Sequence, residues 1–565
     1  MFRIPTSAQA LGAVVALASV AAATPAGAQE TIQYSVSNEF RYGIGEQWPG
    51  ETPIRKEYLE NLLNTRIYAG DFTLGFRVQV DKPREYGRDT VGLTEYYAEF
   101  RRSGLRARGG TFYHLVDRGL IFNTFESRPL GFETRTTGIK LDYEIPELGA
   151  SVFGGVLSYP DITSSTRVEE YVVRGASGEV RPITGLALGG GFVSATGERT
   201  RTGFSRPFDA YLRQVFLRGT WEGLSAHVAI ADKRSVLDSV SRAGTGSTGY
   251  GTGLYGMLGY QAELAGVTAE YKNYRFDIVD PSEMLSGQRP TRALPFQYPP
   301  TLIPEHDKTL LARNPHVVDM NDELGFQVEA LLHPSEDLNL TLLGTAGSRH
   351  NAWGVDSALG ETVYGRLNAK PLAFPELKDP SYSPYWEAFI GAEYTATEEL
   401  AFGFALQRRD NVIFYEPATV GAPSRSETYK ASTIMLESIA DLGSANNLHA
   451  ILELQHVLDT KKATAAVDSL GIEAYEGRYN NALLTLEYSQ SPLWAVNARV
   501  EYSTTDREEG GRQVWPVVGG TYRIGDAHTI GLQYGSERGG VVCTGGVCRY
   551  INPFTGVRFS VVSKL

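Results

Sequence analysis

The sequence predicts an all-β chain: a single antiparallel transmembrane β-barrel of about 22 strands, within a range of about 16 to 24, with short periplasmic turns and long extracellular loops. Three observations carry this. Side chains alternate with a period of two, as in Phe72, Leu74, Phe76, Val78 and Val80 against Thr73, Gly75, Arg77, Gln79 and Asp81. That period sends one set to each face of a strand. Tight turns alternate strictly with long polar connections. Composition agrees: 61 Gly, 31 Tyr and 24 Phe accompany only 42% hydrophobic residues. A barrel wall needs apolar side chains at alternate positions only. A soluble β-sandwich or solenoid explains the alternation but not the turn asymmetry.

The chain opens with Arg3, the thirteen-residue apolar run Leu11 to Ala23, and Ala26-Gly27-Ala28. A basic start, a core too short to span a bilayer and a small-x-small site are the parts of a secretory signal. Residues 1–28 therefore read as a signal peptide and 29–565 as the barrel. The expected location is the bacterial outer membrane. No later run approaches the ~18 apolar residues of a spanning helix. The net charge is -12, with no basic stripe to neutralise phosphates, so nucleic acid is excluded as a partner.

Strand one follows with Ile32, Tyr34, Val36, Asn38, Phe40, Tyr42 and Ile44. Tight turns are read at 69–71, 103–104, 146–149, 222–223, 264–266, 334–337, 397–399, 443–447, 491–492 and 525–526. Long connections are read at 82–92, 114–135, 160–207, 233–250, 277–321, 349–383, 411–427 and 460–480, with shorter ones near both chain ends. The resulting even strand number returns both termini to one end. The last strand, through Phe559, Val561 and Leu565, should close against the one starting near Thr31. Cys543 and Cys548 flank Thr-Gly-Gly-Val, which in an oxidising compartment reads as a disulfide across a hairpin tip. As a metal site the pair has too few ligands.

Arg106, Arg108, Lys140, Asp142, Gln327, Glu329, Asn497, Arg499 and Glu501 fall on the face opposite the apolar set. Rings of charge in a pore set ionic selectivity. The same residues can also pair across the lumen and brace the wall. The stretch from Arg108 to Gly131 is too apolar, and too rich in Gly and Arg, for a solvated loop. It predicts a constriction in which His114 to Arg135 folds inward and Asp117, Arg118, Glu126 and Arg128 meet wall charges. The alternative is two ordinary strand ends with a short crossover. A lumen this wide must be filled by loops, a partner or water. Strand one begins too early for the N-terminal plug of a TonB-gated receptor.

Gly110-x-Phe112-Tyr113, Arg118-Gly119-Leu120 and Glu126-x-Arg128-x-Leu130-Gly131 resemble motifs of an uncharacterised, porin-like family of outer-membrane β-barrel proteins found mainly in the Bacteroidota. The later run from Asn321 through Glu323, Gly325 and Gln327 to Glu329 is similar to it. Asp117 and Glu133 depart from the pattern, which has Gly and Asp there. The resemblance implies fold and location, and brings no catalytic residue.

Nine His are scattered without a ligand or catalytic spacing, and Gly189-Gly190-Gly191 leads into no Lys or helix. His316, Asp319 and Glu323 are the one candidate cation triplet. The expectation is no enzyme, no cofactor and no metal. The chain reads as a passive or substrate-selective channel. Its expected partners are outer-membrane lipid, the barrel-assembly machinery and small polar solutes. The alternative is a non-conducting barrel serving as scaffold or accessory of a surface or secretion apparatus.

Overall fold

The computed structural model describes residues 32–50, 52–160, 168–201, 204–237, 247–276, 294–302, 304–316, 322–356, 363–367, 373–415, 425–463, 475–505, 511–544 and 547–565. Residues 1–28, which the sequence reads as a signal peptide, lie outside these. Alternation along the chain builds one antiparallel sheet of 24 strands. The first strand, Gln33–Gln47, pairs with the last, Phe554–Lys564, from Ser37↔Lys564 to Gln47↔Phe554. Val36 and Leu565 exchange two further backbone hydrogen bonds, each 2.8 Å. The sheet is therefore a closed barrel, which leaves no edge strand unpaired.

The wall is inverted relative to a soluble sandwich. On the strand Leu400–Tyr415, Phe402, Phe404 and Leu406 are 37–44% exposed, while Gln407 and Arg409 are 2–3% exposed. Outward apolar residues run Leu224, Val228 and Ile230 on the strand Leu224–Leu237, then give way to Asp232, ion-paired to Arg213. Trp221, Tyr260, Tyr394 and Tyr522 point outward beside the short turns at one end.

Those turns are tight because residues with positive φ sit in them. Ser103 and Gly104 have φ of 49° and 83°, and Glu222 and Gly223 have 44° and 84°. This is the primed-turn geometry that matches strand twist. A Cβ on Gly223 would meet Gln261 O at 2.4 Å.

The strand number exceeds the expected 22 by one hairpin, Val168–Ile183 with Leu186–Arg201, turning at Thr184-Gly185. It lies inside the stretch 160–207 read as one loop. Gly189-Gly190-Gly191 sits mid-strand there, and glycines carry no alternation signal.

Besides the short pair Glu126–Ser127 with Phe132–Glu133, two small hairpins stand apart from the barrel sheet: Ala352–Asp356 with Val363–Leu367, and Gly540–Thr544 with Val547–Ile551. The second sets Cys543 opposite Cys548 in backbone register; their side chains lie outside the described residues. At the end opposite the short turns, two long connections enter the lumen. These are 113–135 and the described parts of 276–321.

Candidate functional site, a lumen filled by two inward loops

The first loop carries an apolar edge that no water-filled lumen would hold. Val116, Leu120, Ile121, Phe122, Leu130 and Phe132 are buried in one cluster with the wall residues Phe153, Tyr171, Phe208 and Phe216. Phe122 lies 4.7 Å from Phe153 and 5.3 Å from Phe296 of the second loop, and Phe132 lies 5.1 Å from Tyr298. Asn123 N–H donates to Phe296 O at 2.7 Å, joining the loops. The wall gives way where the loop docks: a Cβ on Gly191 would come 2.9 Å from Val116 and 3.1 Å from Ile121. Gly119, at φ 84°, would put a Cβ 2.5 Å from Tyr298 O.

Charged residues of this loop pair with the wall individually. Asp117, at φ 50°, faces His227 Nε2 at 2.9 Å and accepts from Gln214 Nε2 at 2.8 Å. Glu126 pairs with Arg77 at 2.6 Å. Arg128 lies 3.5 Å from Glu60 and 3.7 Å from Asp81. Arg118 differs from the expectation: it is exposed, and its guanidinium contacts Met257 Sδ at 3.8 Å instead of a wall carboxylate. The neighbouring Gly119, closed against Tyr298, turns the chain so that Asp117 faces the wall and Arg118 does not.

The other expected residues divide between wall regions. Arg108 lies 3.5 Å from Glu95, 3.6 Å from Glu99 and 3.5 Å above the Tyr97 ring. Arg106 and Lys140 both pair with Asp142, at 2.9 and 3.3 Å. Gln327 and Glu329 are half-buried and stand opposite Glu270 and Thr268 in register. Arg499 lies 3.7 Å from Glu537. Glu501 holds Arg313 at 2.6 Å and Arg538 at 2.9 Å. Asp117, Glu126 and Arg128 thus lie on the first loop, while Glu501 is a wall residue that holds Arg313 of the second loop and Arg499 is a wall residue nearby. Of the triplet read as a cation candidate, His316 Nδ1 faces Asn411 at 2.8 Å and Glu323 pairs with Lys272 at 2.8 Å. Asp319 lies outside the described residues.

The second loop docks differently. Its segment 294–302 joins the apolar cluster through Leu294, Phe296 and Tyr298. Its segment 304–316, including the single helical turn Thr309–Ala312, is held by polar wall side chains on its backbone. The Glu453 carboxylate accepts from the N–H groups of Thr309, Leu310 and Leu311 at 3.1, 2.7 and 3.3 Å. Gln455 and Gln407 donate to Leu310 O and Leu311 O at 2.8 and 3.0 Å, and Arg409 donates to Arg313 O. Thr345 Oγ1 donates to Leu302 O at 2.9 Å. The sequence reading passed over this wall. Its signal is present: Gln407 and Arg409 share the inward face with Ala405.

Burial shapes three groups on the first loop. His114 has its Nε2 without a partner and is pushed down to about 3 by burial, aided by Lys140 and Arg106. Burial raises Glu133, against the pull of Arg135. It also raises Tyr113, whose hydroxyl donates to Glu133 at 2.9 Å.

Two cavities flank the loops. One, of about 740 Å³, opens between Val116, Asp117 and the short-turn ends of the strands, among Arg106, Asp142, Glu179 and Arg218. The other, of about 490 Å³, lies between segment 304–315 and wall residues Arg409, Arg499, Glu501 and Arg538.

Residues 9–565 match the model of a family described as of unknown function, DUF6029. The chain belongs to the DUF6029 family. No curated protein matches it by sequence. Among solved structures it is similar to the siderophore receptor PirA from Pseudomonas aeruginosa, with 8% identity and a TM-score of 0.46 over 95% of this chain and 81% of that one. The FrpB iron transporter from Neisseria meningitidis gives 11% identity and a TM-score of 0.45, over 95% and 83%. The P pilus usher PapC translocation pore gives 8% and 0.36, over 94% and 99%. Likeness at this level carries no inference about what this DUF6029 barrel binds.

Proposed function

We propose that the chain is an outer-membrane barrel that passes small polar solutes when its second lumenal loop moves, and that the described state is closed. Membrane placement is supported by the inverted wall: outward Phe, Leu, Val and Ile on successive strands, with Trp and Tyr beside the turns. Apolar residues facing water on every strand would be costly, whereas facing lipid they are stable. This reading carries with it the signal peptide, lipid and assembly-machinery partners, and a transport role instead of an enzymatic one.

One observation carries the channel part. Segment 304–316 is held to the wall mainly by hydrogen bonds and ion pairs that water can replace, with one small apolar contact at Leu311 and a cavity beside it. A hydrogen bond exchanged for water costs only about 1 kcal/mol net. Replacing 304–316 by a short Gly/Ser linker should give a folded barrel with stepwise conductance in planar bilayers, where the full chain is mostly silent. A second reading, the non-conducting scaffold, is favoured by the apolar packing of the first loop. A linker variant that folds and stays silent would establish it. The Cys543–Cys548 disulfide belongs to the exported state, and free thiols in protein purified from outer membranes would refute it.

A further inference from the structure

The two lumenal loops are gripped through different parts of the chain. The first docks by its apolar side chains. The second, between Thr309 and Arg313, is gripped by its backbone. The N–H groups of Thr309, Leu310 and Leu311 all donate to Glu453. The carbonyls of Leu310, Leu311 and Arg313 accept from Gln455, Gln407 and Arg409. Side-chain contacts surround this grip, among them His306 on Glu387, Arg313 on Glu501 and Leu311 against Ala405.

The wall side chains are set for these contacts by one another. Gln407, Thr433, Gln455 and Asn481 stand opposite one another in register on four successive strands. Thr433 Oγ1 donates to Gln407 Oε1 at 3.2 Å, and Asn481 Nδ2 donates to Gln455 Oε1 at 2.9 Å. Both glutamine oxygens are thus engaged within the wall. Gln407 Nε2 gives one hydrogen to Glu387 at 2.9 Å and the other to Leu311 O. Gln455 Nε2 gives one to Thr433 Oγ1 at 3.0 Å and the other to Leu310 O. Each amide therefore holds out one N–H to whatever fills the lumen. Glu453 is the matching acceptor. It stands between Met435 and Leu483 in register and is 2% exposed. Among the described residues, its hydrogen bonds all run to the segment. A buried carboxylate is stable only when donors reach it. Here successive amide N–H groups of the lumenal chain supply them.

We propose that this inner wall is a binding site for oligopeptides, and that residues 309–313 occupy it as a built-in peptide. One acceptor for successive N–H groups, beside two amide donors for successive carbonyls, is the complement of a main chain. Recognition through the main chain gives affinity with little dependence on sequence. The segment belongs to the same chain as the wall, so it competes at an effective concentration in roughly the millimolar range. The cavity of about 490 Å³ beside 304–315 gives an incoming peptide room to enter. The inference names the solute class for the channel and, in its transport part, rests on that reading.

Penta-alanine and maltopentaose, a chain of amides and a chain of hydroxyls, are the probes. In full-length protein in detergent micelles, penta-alanine at about 10 mM should raise amide hydrogen exchange in 304–316 by about threefold or more and leave 113–135 within about twofold. Maltopentaose should alter neither. The 304–316 linker variant lacks the built-in competitor. By calorimetry it should bind penta-alanine about tenfold or more tighter than the full chain does. In that background, Gln455→Met and Glu453→Gln should each weaken binding about fivefold or more, and Arg118→Ala should leave it unchanged. Maltopentaose acting as strongly as penta-alanine assigns the wall to sugars and overturns the peptide site. Penta-alanine that neither binds the linker variant nor moves exchange in the full chain also overturns it, as does binding untouched by both wall substitutions. If the linker variant fails to fold, exchange in the full chain decides. Binding without conductance in the linker variant removes the channel reading and leaves the site. Conductance without binding does the reverse.

Discussion

Arg118 and Arg128 stand ten residues apart in one loop and separate two roles that a charge pattern cannot distinguish. Arg128 faces Glu60 and Asp81, which are nearly inaccessible, while Arg118 is exposed against a thioether. Removing one partner of a buried charge cluster leaves carboxylates uncompensated and costs up to ~3 kcal/mol where other cations, here Arg41 and Arg84, share the load. Arg128→Ala should therefore raise amide hydrogen exchange across 113–135 by about tenfold or more, and Arg118→Ala should leave it within about twofold. Equal effects from the two would remove the bracing assignment. His114 adds a pH dependence. Its folded value lies below the ordinary His value of 6.5, so the docked loop disfavours the proton. Above pH 6.5 both states are neutral and nothing changes. As pH falls from 6.5 toward about 3, the undocked state gains the proton and docking weakens, by roughly 1.4 kcal/mol per unit at most. Glu133 acts in the opposite sense, because its raised value lets the docked loop take up a proton first, a contribution complete below the ordinary value of 4.5. Loop exchange corrected for intrinsic rates should rise as pH falls below 6.5 in protein carrying Glu133→Gln, which removes the opposing contribution. His114→Phe keeps the ring packed 4.5 Å from Phe153 and should flatten the rise. A rise of the same size in His114→Phe would assign it to another group.

At the scale of strands and loops, the hairpin Val168–Ile183 with Leu186–Arg201 shows where pattern reading stops. Ten of the eleven short turns are legible, because Gly, Pro, Ser, Asp or Glu, as in Ser103-Gly104, Glu222-Gly223, Ser491-Pro492 and Gly525-Asp526, punctuate clear alternation. Thr184-Gly185 is not, since the strand after it spends three positions on glycine. Those glycines are not a loop signal. Gly191 leaves the space that Val116 and Ile121 fill, and Gly189 the space under the Phe216 ring, 2.3 Å from where a Cβ would be. The sequence betrayed the first loop by its own apolar residues. The second is half polar and docks by its backbone, which no side-chain pattern records. Gly191→Val tests the docking role. Its extended backbone accepts valine readily, so the wall should form normally. The added methyls meet Val116 and Ile121, and overpacking of this kind costs about 1–3 kcal/mol. Faster hydrogen exchange is expected in 113–125 with unchanged exchange in the strand Leu186–Arg201. Slower exchange in the strand together with an unchanged loop would mean that the glycines serve another purpose.

The whole molecule is a closed wall with two chemically different halves, and this decides what each loop does for the barrel. Where the first loop docks, the inner wall is aromatic: Phe153, Tyr171, Phe208, Phe216 and Tyr255 are all buried against it or its neighbours. Where segment 304–316 docks, the inner wall is mostly polar, with Gln407, Thr433, Glu453, Gln455 and Asn481, and its apolar contact is the small cluster of Leu311 with Ala405 and Met435. Emptying the first half would therefore expose large apolar side chains to water, at roughly 1.5–3 kcal/mol for each one fully uncovered. Emptying the second mainly exchanges hydrogen bonds for hydration at about 1 kcal/mol apiece and uncovers only that small cluster. The two deletions should thus behave oppositely although each removes fewer than twenty residues. Replacing 304–316 by a linker should preserve membrane assembly and the slow-unfolding, heat-modifiable band of a folded barrel on gels. Replacing 115–132 should lower the yield of folded barrel several-fold and leave a species that binds apolar dyes. Among the described residues the two loops meet through contacts such as Asn123 N–H to Phe296 O and Phe132 against Tyr298, which both lie outside 304–316. Exchange in 113–135 should accordingly be little altered by the 304–316 replacement. If the two replacements assemble equally well, wall chemistry does not set which loop is structural, and the division into a fixed loop and a movable one is wrong.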